Sequence, residues 1–325
     1  MNAATPLVHS DKPVSKVLVL DESPVHANAI KSFCREADLV PHKVRGDSLL
    51  PFLAANIDLG GILLADDYGG SRDAAWRIAR SIRSLRPELP IFLRRTTAPT
   101  FDGVPADLRH AFCAVYVADD MLPLRKAVDD FIFSLVYPNA QVRGISQISE
   151  AILGDRFPGW STRWDTPFVV HDRKIFGEVL SLIQLESAWC RGYMMLQAEE
   201  AALMSLPVEG AGEDGADFRG GNSLLSELTN LIWGSFKNRF IGDLSASPAH
   251  HVQVPLIVNL EHRYMSFGTR DPQLCFRYTL TRADGEQRVT LLQRFVFNIN
   301  WLPEQFRELN AAEGGESDAG ALELF

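Results

Sequence analysis

The sequence predicts two domains of different class, a doubly wound parallel α/β sheet followed by an α+β domain. Up to Pro138, short apolar strands alternate with helix-length amphipathic segments, the pattern of parallel strands joined by right-handed crossovers. Beyond that point a long helical pattern precedes several β-like runs. We therefore predict domains at 14–138 and 143–309 and a flexible acidic tail at 310–325.

Composition restricts the possible partners. The 325 residues carry a formal net charge of −9, which disfavours nucleic acid because phosphate backbones bind clustered Lys and Arg. No apolar run approaches the roughly 20 residues that a membrane-spanning helix needs, and the start resembles no signal peptide. The four cysteines show no C-x-x-C spacing. We expect a cytoplasmic protein that binds neither nucleic acid nor membrane.

Three predicted strands of the first domain end in pairs of acids. The pairs are Asp21 and Glu22, Asp66 and Asp67, and Asp119 and Asp120. Functional groups of a parallel sheet collect at the carboxyl ends of its strands, so we expect these acids to lie at one edge. The strand-like run PIFLRR ends instead in two arginines, Arg94 and Arg95.

The clearest helical pattern of the second domain is NSLLSELTNLIWGSFKNRF, residues 222–240, with Asn222 or Ser223 as the predicted N-cap. Its predicted buried stripe consists of Leu224, Leu225, Leu228, Leu231, Ile232 and Phe236. Steps of three and four residues place another set on one exposed side. This set, the ridge, consists of Glu227, Asn230, Gly234 and Lys237.

The ridge suits hydrolysis of a group carried by another protein. The carboxylate of Glu227 can pair with a cation of that partner. The carboxamide of Asn230 both donates and accepts, so it can hold a water molecule in line with a phosphoryl group. Gly234 has no side chain and lets a partner surface come close.

Other parts of the second domain are predicted less sharply. Helical spacing runs from Tyr193 to Leu206, and the acidic, Gly-rich stretch 207–221 is predicted to be a mobile loop. β-like runs begin at Val252, Leu274 and Val289.

The segment SELTNLIWGSFK resembles the E-x-x-N active helix of the CheC/CheX/FliY phosphatases, and VQVPLIVN, 252–259, is similar to a strand of that family. The resemblance implies hydrolysis of the aspartyl phosphate of CheY-like response regulators. Glu227 would pair with the lysine of the phosphorylated regulator, whose own pocket holds Mg²⁺, and Asn230 would position water. The stretch LQAEEAALMSL offers no second E-x-x-N helix, which favours a CheX-type homodimer.

The first domain resembles CheY-like receivers. The resemblance implies a pocket of Asp21, Glu22 and Asp66 that holds Mg²⁺, with Asp66 as the phosphoacceptor and Asp67 as the alternative one residue on.

Two departures from the receiver pattern leave the role of this domain open. Asp119 and Asp120 stand where receivers keep a lysine, and Lys126 lies inside the next helix. Arg94 and Arg95 stand where receivers carry a hydroxyl, which is thereby displaced to the threonines that follow. The domain is either a degenerate receiver kept for dimerisation or docking, or an atypical one in which an arginine supplies the missing charge.

Three functional hypotheses follow. The chain is a phosphatase acting on phosphorylated CheY-like regulators, or a module that binds and dimerises receivers without hydrolysis. In the third, Asp66 is phosphorylated and the second domain removes that phosphate within the same molecule.

Overall fold

A computed structural model describes residues 12–44, 48–207, 217–242 and 256–309. The predicted tail and most of the predicted acidic loop lie outside the described residues, as do residues 252–255. The predicted mixed α/β class is confirmed, because a five-stranded parallel sheet flanked by helices is accompanied by a separate antiparallel sheet. None of the helices in the described ranges is both long and apolar enough to cross a bilayer.

The described strands are β1 (Ser15–Leu20), β2 (Leu39–His42), β3 (Leu59–Ala65), β4 (Ile91–Arg95), β5 (Phe112–Val117), β6 (Trp160–Trp164), β7 (Phe168–Val170), β8 (Val179–Glu186), β9 (Cys190–Ala198), β10 (Ile257–Asn259), β11 (Tyr264–Ser266), β12 (Gln273–Arg282) and β13 (Arg288–Trp301). The described helices are α1 (Pro24–Glu36), α2 (Leu49–Ala55), α3 (Arg72–Leu85), α4 (Leu122–Phe131), α5 (Asn139–Arg156), α6 (Glu200–Met204) and α7 (Phe218–Phe240).

The chain divides into two compact units. The first consists of Met1–Val136, Asp165–Phe176 and Pro255–Phe276. The second consists of Tyr137–Trp164, Gly177–Val254 and Arg277–Phe325. Two segments from beyond the predicted boundary near residue 138 thus group with the first unit.

The first unit is built on a parallel sheet of order β2-β1-β3-β4-β5. This is the 2-1-3-4-5 order of the flavodoxin-like fold, which CheY shares. Strand β3 is buried along its whole length, as expected for a central strand covered on both faces. The connection between β4 and β5, residues 96–111, contains a 3₁₀ turn at Arg109–Ala111 and no α-helix.

The later segments of the first unit attach to its sheet by buried polar contacts. Ser15 Oγ donates to the carbonyl of Val169 at 2.8 Å. The guanidinium of Arg86, which is buried, pairs with the buried carboxylate of Asp172 and donates to the carbonyl of Asn56 at 3.0 Å. These partners are distant in sequence, so local sequence patterns do not predict the contacts between them.

In the second unit, helices α5 and α7 contact each other and pack against an antiparallel sheet of strand order β6-β12-β13-β9-β8. An aromatic cluster forms its core, in which Trp189 contacts Phe236, Phe297 and Phe306 at ring-centroid distances of 6.5, 6.4 and 5.1 Å. Trp189 Nε1 also donates to the carbonyl of Phe240 at 3.0 Å. The end of α7 is thereby fixed by both apolar packing and a hydrogen bond.

The predicted helix over 193–206 is wrong. Residues up to Ala198 belong to strand β9, and only the short helix α6 follows. Consecutive residues of β9 are buried at all positions but Tyr193, so the side chains on both faces of the strand are covered. A strand covered on both faces loses its alternation of apolar and polar residues, so periodicity does not distinguish it from a buried helix.

Replacing Asp172 by Ala should destabilise the first unit by about 3–5 kcal/mol, because the guanidinium of Arg86 is left buried without its counter-charge. Urea denaturation followed by circular dichroism measures the loss. Asp107→Ala is the control, since it removes the exposed pair with Arg80 and should leave the midpoint unchanged. Equal losses in the two variants would contradict the role of the buried pair.

Candidate functional site

Helix α7 begins at Phe218, earlier than the predicted start at Asn222 or Ser223. The N-cap is Asp217, whose carboxylate accepts a hydrogen bond from Gly220 N at 2.8 Å. Two glycines of the predicted loop, Gly220 and Gly221, lie inside the first turn of the helix, and the buried Gly221 lies close to Met204 of α6. Tertiary packing therefore overrides the local preference of Gly for a loop.

The buried face of α7 agrees with the prediction at five of six positions. Those positions are Leu224, Leu225, Leu228, Ile232 and Phe236. Leu231 is the exception, since 44% of it is exposed. Thr229 is buried instead, and its hydroxyl donates to the carbonyl of Leu225 at 2.8 Å, so the helix backbone satisfies the polar group within the core.

The ridge residues lie on regular helix, where steps of three and four residues bring them to one side. Glu227 and Asn230 are exposed, and Gly234 and Lys237 are partly exposed. Leu231 lies beside them, one turn after Glu227 and three residues before Gly234. An acid, an amide and an apolar side chain thus share one accessible strip of α7.

Glu227 is already engaged by a cation of its own unit. Arg156, the last residue of α5, places Nε 3.2 Å from Oε1 and Nη2 3.4 Å from Oε2 of Glu227. The Glu227 side chain remains 48% exposed. An ion pair in contact with solvent contributes little net free energy, so another cation can replace Arg156 at small cost.

The first unit presents a second group of charges, which we term the acidic edge, formed by Asp21, Glu22, Asp66 and Asp67. These residues follow β1 and β3 directly, at the carboxyl edge of the sheet. Asp21 and Asp66 are buried, whereas Glu22 and Asp67 are exposed. The last two residues of β4, Arg94 and Arg95, are buried at the same edge.

Arginines pair with three of these four acids. Arg94 Nε lies 2.5 Å from Asp21 Oδ2, and Arg94 Nη2 lies 2.9 Å from Asp67 Oδ1. Arg95 Nε lies 3.0 Å from Asp66 Oδ2, a charge contact without hydrogen-bond alignment. Burial lowers the pKa of Arg94, but the hydrogen bond and charge of Asp21 together with the charge of Asp67 outweigh that effect and raise it. Arg94 therefore stays charged in this buried position.

The prediction that the receiver hydroxyl is displaced is wrong. Strand β4 extends to Arg95, so Thr96 is the first residue after the strand. Its hydroxyl donates to Asp66 Oδ1 at 3.0 Å. The predicted phosphoacceptor thus has a hydroxyl partner as well as two nearby guanidinium groups, those of Arg95 and, at 3.4 Å, Arg72.

The third pair of acids lies apart from this arrangement. Asp119 and Asp120 are exposed and follow β5. Asp120 Oδ1 accepts a hydrogen bond at 3.0 Å from the backbone N–H of Leu122, the first residue of α4. No ion pair described within the resolved ranges joins either acid to Arg94 or Arg95. Lys126 is exposed on α4. Sequence position alone did not show which acids meet Arg94 and Arg95, namely Asp21, Asp66 and Asp67.

The predicted magnesium ligands Asp21, Glu22 and Asp66 do not form an open carboxylate cluster. Both buried members contact arginines, and Glu22 is exposed. Across the described residues, no group of three or more His, Cys, Asp or Glu side chains is arranged to hold a metal ion.

Comparison with known proteins identifies no family. Neither a family model nor a curated protein matches the chain. Among solved structures, a response regulator from Thermotoga maritima aligns with 36% of this chain and 97% of its own, at 17% identity and a TM-score of 0.28. Similarity at this level carries no functional argument, and the resemblance of the second domain to CheX-type phosphatases stays a prediction.

Gly234→Ala should leave the fold intact and raise the free energy of unfolding by roughly 0.5–1 kcal/mol, the usual helical preference for Ala over Gly. A methyl group at this position meets no heavy atom within 4 Å. Gly144→Ala on α5 is the matched comparison, because its methyl group would lie 2.4 Å from Phe240 Cζ and should destabilise by about 1–3 kcal/mol. Chemical denaturation distinguishes the two, and destabilisation by Gly234→Ala would show that this side of α7 is not open.

Proposed function

We propose that this chain is a phosphatase-type signalling protein that binds phosphorylated CheY-like response regulators and hydrolyses their aspartyl phosphate. The observation that carries the proposal is the exposed placement of Glu227 and Asn230 one helical turn apart on α7. A catalytic pair that acts on a partner's phosphoryl group must project from a rigid element into solvent, and this pair does so.

The two side chains divide the work. Glu227 exchanges Arg156 for a cation of the regulator and so fixes the orientation of the bound partner. Asn230 then accepts a hydrogen bond from a water molecule and aligns it for attack on phosphorus. Aspartyl phosphate is reactive by itself, so positioning of the water is enough to accelerate its hydrolysis.

Gly234 of the ridge and the neighbouring Leu231 serve the approach of the partner. Gly234 leaves open space on the helix, and Leu231 adds apolar contact area beside the charged groups. In this proposal Mg²⁺ belongs to the regulator's pocket, where it neutralises phosphoryl charge, and no ridge residue ligates it.

The first unit serves assembly under the same proposal. Its buried arginine-paired acids favour the degenerate interpretation over a phosphorylated receiver, and a homodimer built through this unit would present two copies of α7. The alternative function is a receiver-binding module that uses the same ridge without hydrolysis. The exposed side chain of Leu231 adds apolar contact area that helps binding whether or not hydrolysis follows, so it supports the two functions equally.

Asn230→Ala should abolish the acceleration of phosphate loss from a phosphorylated CheY-like regulator, a fall of roughly 100-fold or to the regulator's own decay rate. Binding should survive, because Asn230 positions water and does not dock the partner. Loss of ³²P from the labelled regulator and fluorescence anisotropy of the complex measure the two effects.

Asn222→Ala is the matched control, an exposed asparagine on the same helix but off the ridge. It should retain full activity. If wild-type protein binds the regulator without hastening its decay, the binding-module function replaces the enzymatic one. If neither activity nor binding is detected, both are excluded.

Arg156→Gln should strengthen regulator binding by about two- to fivefold, because Glu227 no longer has to leave an intramolecular cation. The gain should disappear when Glu227 is also changed to Gln, since the double-mutant cycle isolates their interaction. Titration calorimetry provides the affinities. Weaker binding by Arg156→Gln would indicate that Arg156 holds Glu227 in its working position and does not compete for it.

A further inference from the structure

The acidic edge of the first unit is filled by the protein's own cations. Three carboxylates, those of Asp21, Asp66 and Asp67, contact three guanidinium groups, those of Arg72, Arg94 and Arg95, so positive charge balances negative charge among the paired groups. Asp66 is fully buried, and both Arg94 and Arg95 are almost fully buried. Electrostatic attraction is strong at this depth because little water screens it.

Every oxygen of the two buried carboxylates already has a partner. Asp21 Oδ2 contacts Arg94 Nε, and Asp21 Oδ1 accepts from Ser23 N at 2.9 Å. Asp66 Oδ1 accepts from Thr96 Oγ1, and Asp66 Oδ2 faces Arg95 Nε. Of these four oxygens only Asp66 Oδ2 accepts no hydrogen bond, and the guanidinium groups of Arg95 and Arg72 lie 3.0 and 3.4 Å from it.

A guanidinium cannot give up its charge to make room for a metal. Arginine stays protonated at all pH values relevant to a folded protein. A divalent ion at this edge would have to approach two buried guanidinium groups while drawing Asp21 and Asp66 away from them. Mg²⁺ also demands near-octahedral oxygen ligands at about 2.0–2.1 Å, a geometry these paired carboxylates do not offer.

We infer that Arg94 and Arg95 take the place of a divalent cation at the carboxyl edge of the parallel sheet, which closes this edge to Mg²⁺ and Asp66 to phosphorylation. The first unit therefore holds one state that neither metal nor phosphodonor changes. The inference is independent of the phosphatase proposal, which concerns α7 of the other unit.

Removal of the two arginines should create the missing metal site. In an Arg94→Ala/Arg95→Ala variant of the full chain, Asp21 loses its arginine and Asp66 keeps only the contact with Arg72, at 3.4 Å. A divalent ion can then supply the positive charge that these buried carboxylates have lost. The variant should bind Mn²⁺ at least about tenfold more tightly than wild type, detected as loss of the free Mn²⁺ signal in electron paramagnetic resonance, and Mg²⁺ should compete.

Two further variants assign the binding. Arg80→Ala removes an exposed arginine paired with Asp107 and should gain nothing. Adding Asp66→Asn to the double arginine variant should abolish the gained site, which separates it from weak binding by other surface acids. A folded double arginine variant that gains no Mn²⁺ affinity would overturn the inference.

Wild-type measurements test the inference even if the double variant does not fold. Full-length protein incubated with ³²P-acetyl phosphate and Mg²⁺ should take no label, and its Mn²⁺ binding should be unaffected by Asp66→Asn. Label on Asp66, or a Mn²⁺ site that Asp66→Asn removes, would overturn the inference while leaving the α7 ridge untested and unharmed.

Discussion

The packing of α7 into the aromatic core of the second unit is the constraint on which the candidate site depends. Phe236 and Phe240 enter that core near Trp189, and the Trp189 indole donates to the carbonyl of Phe240. Rotation of α7 about its axis would expose these rings. Because the apolar face is fixed inward, Glu227 and Asn230 are fixed outward. The position of the ridge is therefore a consequence of core packing.

The two charged sites use the same chemical pair, carboxylate and guanidinium, in different surroundings. Arg94 and Asp21 are buried, with side-chain exposures of 1% and 3%, whereas Arg156 and Glu227 are 18% and 48% exposed. Breaking the buried pair leaves uncompensated charge in a poorly screened environment, whereas breaking the other pair leaves the Glu227 carboxylate in contact with solvent. The acidic edge is thus fixed, and the ridge can exchange partners.

Periodicity and strand-end chemistry predicted the parallel sheet, the acids that follow β1 and β3, and the helical placement of Glu227 and Asn230. They failed where long-range packing decides. Leu231 fits the apolar pattern of α7 but lies outside the core. The sequence of β9 lacks the alternation of apolar and polar residues typical of a strand, because both of its faces are covered, and so it was predicted to be a helix. The pairing of Arg86 with Asp172 joins residues far apart in the chain, which local patterns cannot show.

The proposal that the ridge on α7 hydrolyses aspartyl phosphate is tested most directly by the rate of ³²P loss from a phosphorylated CheY-like regulator, measured over a series of concentrations of this protein. The ridge on α7 predicts a rate that rises with concentration and saturates as the regulator becomes fully bound. A rate that stays at the regulator's own decay at every concentration would contradict the claim.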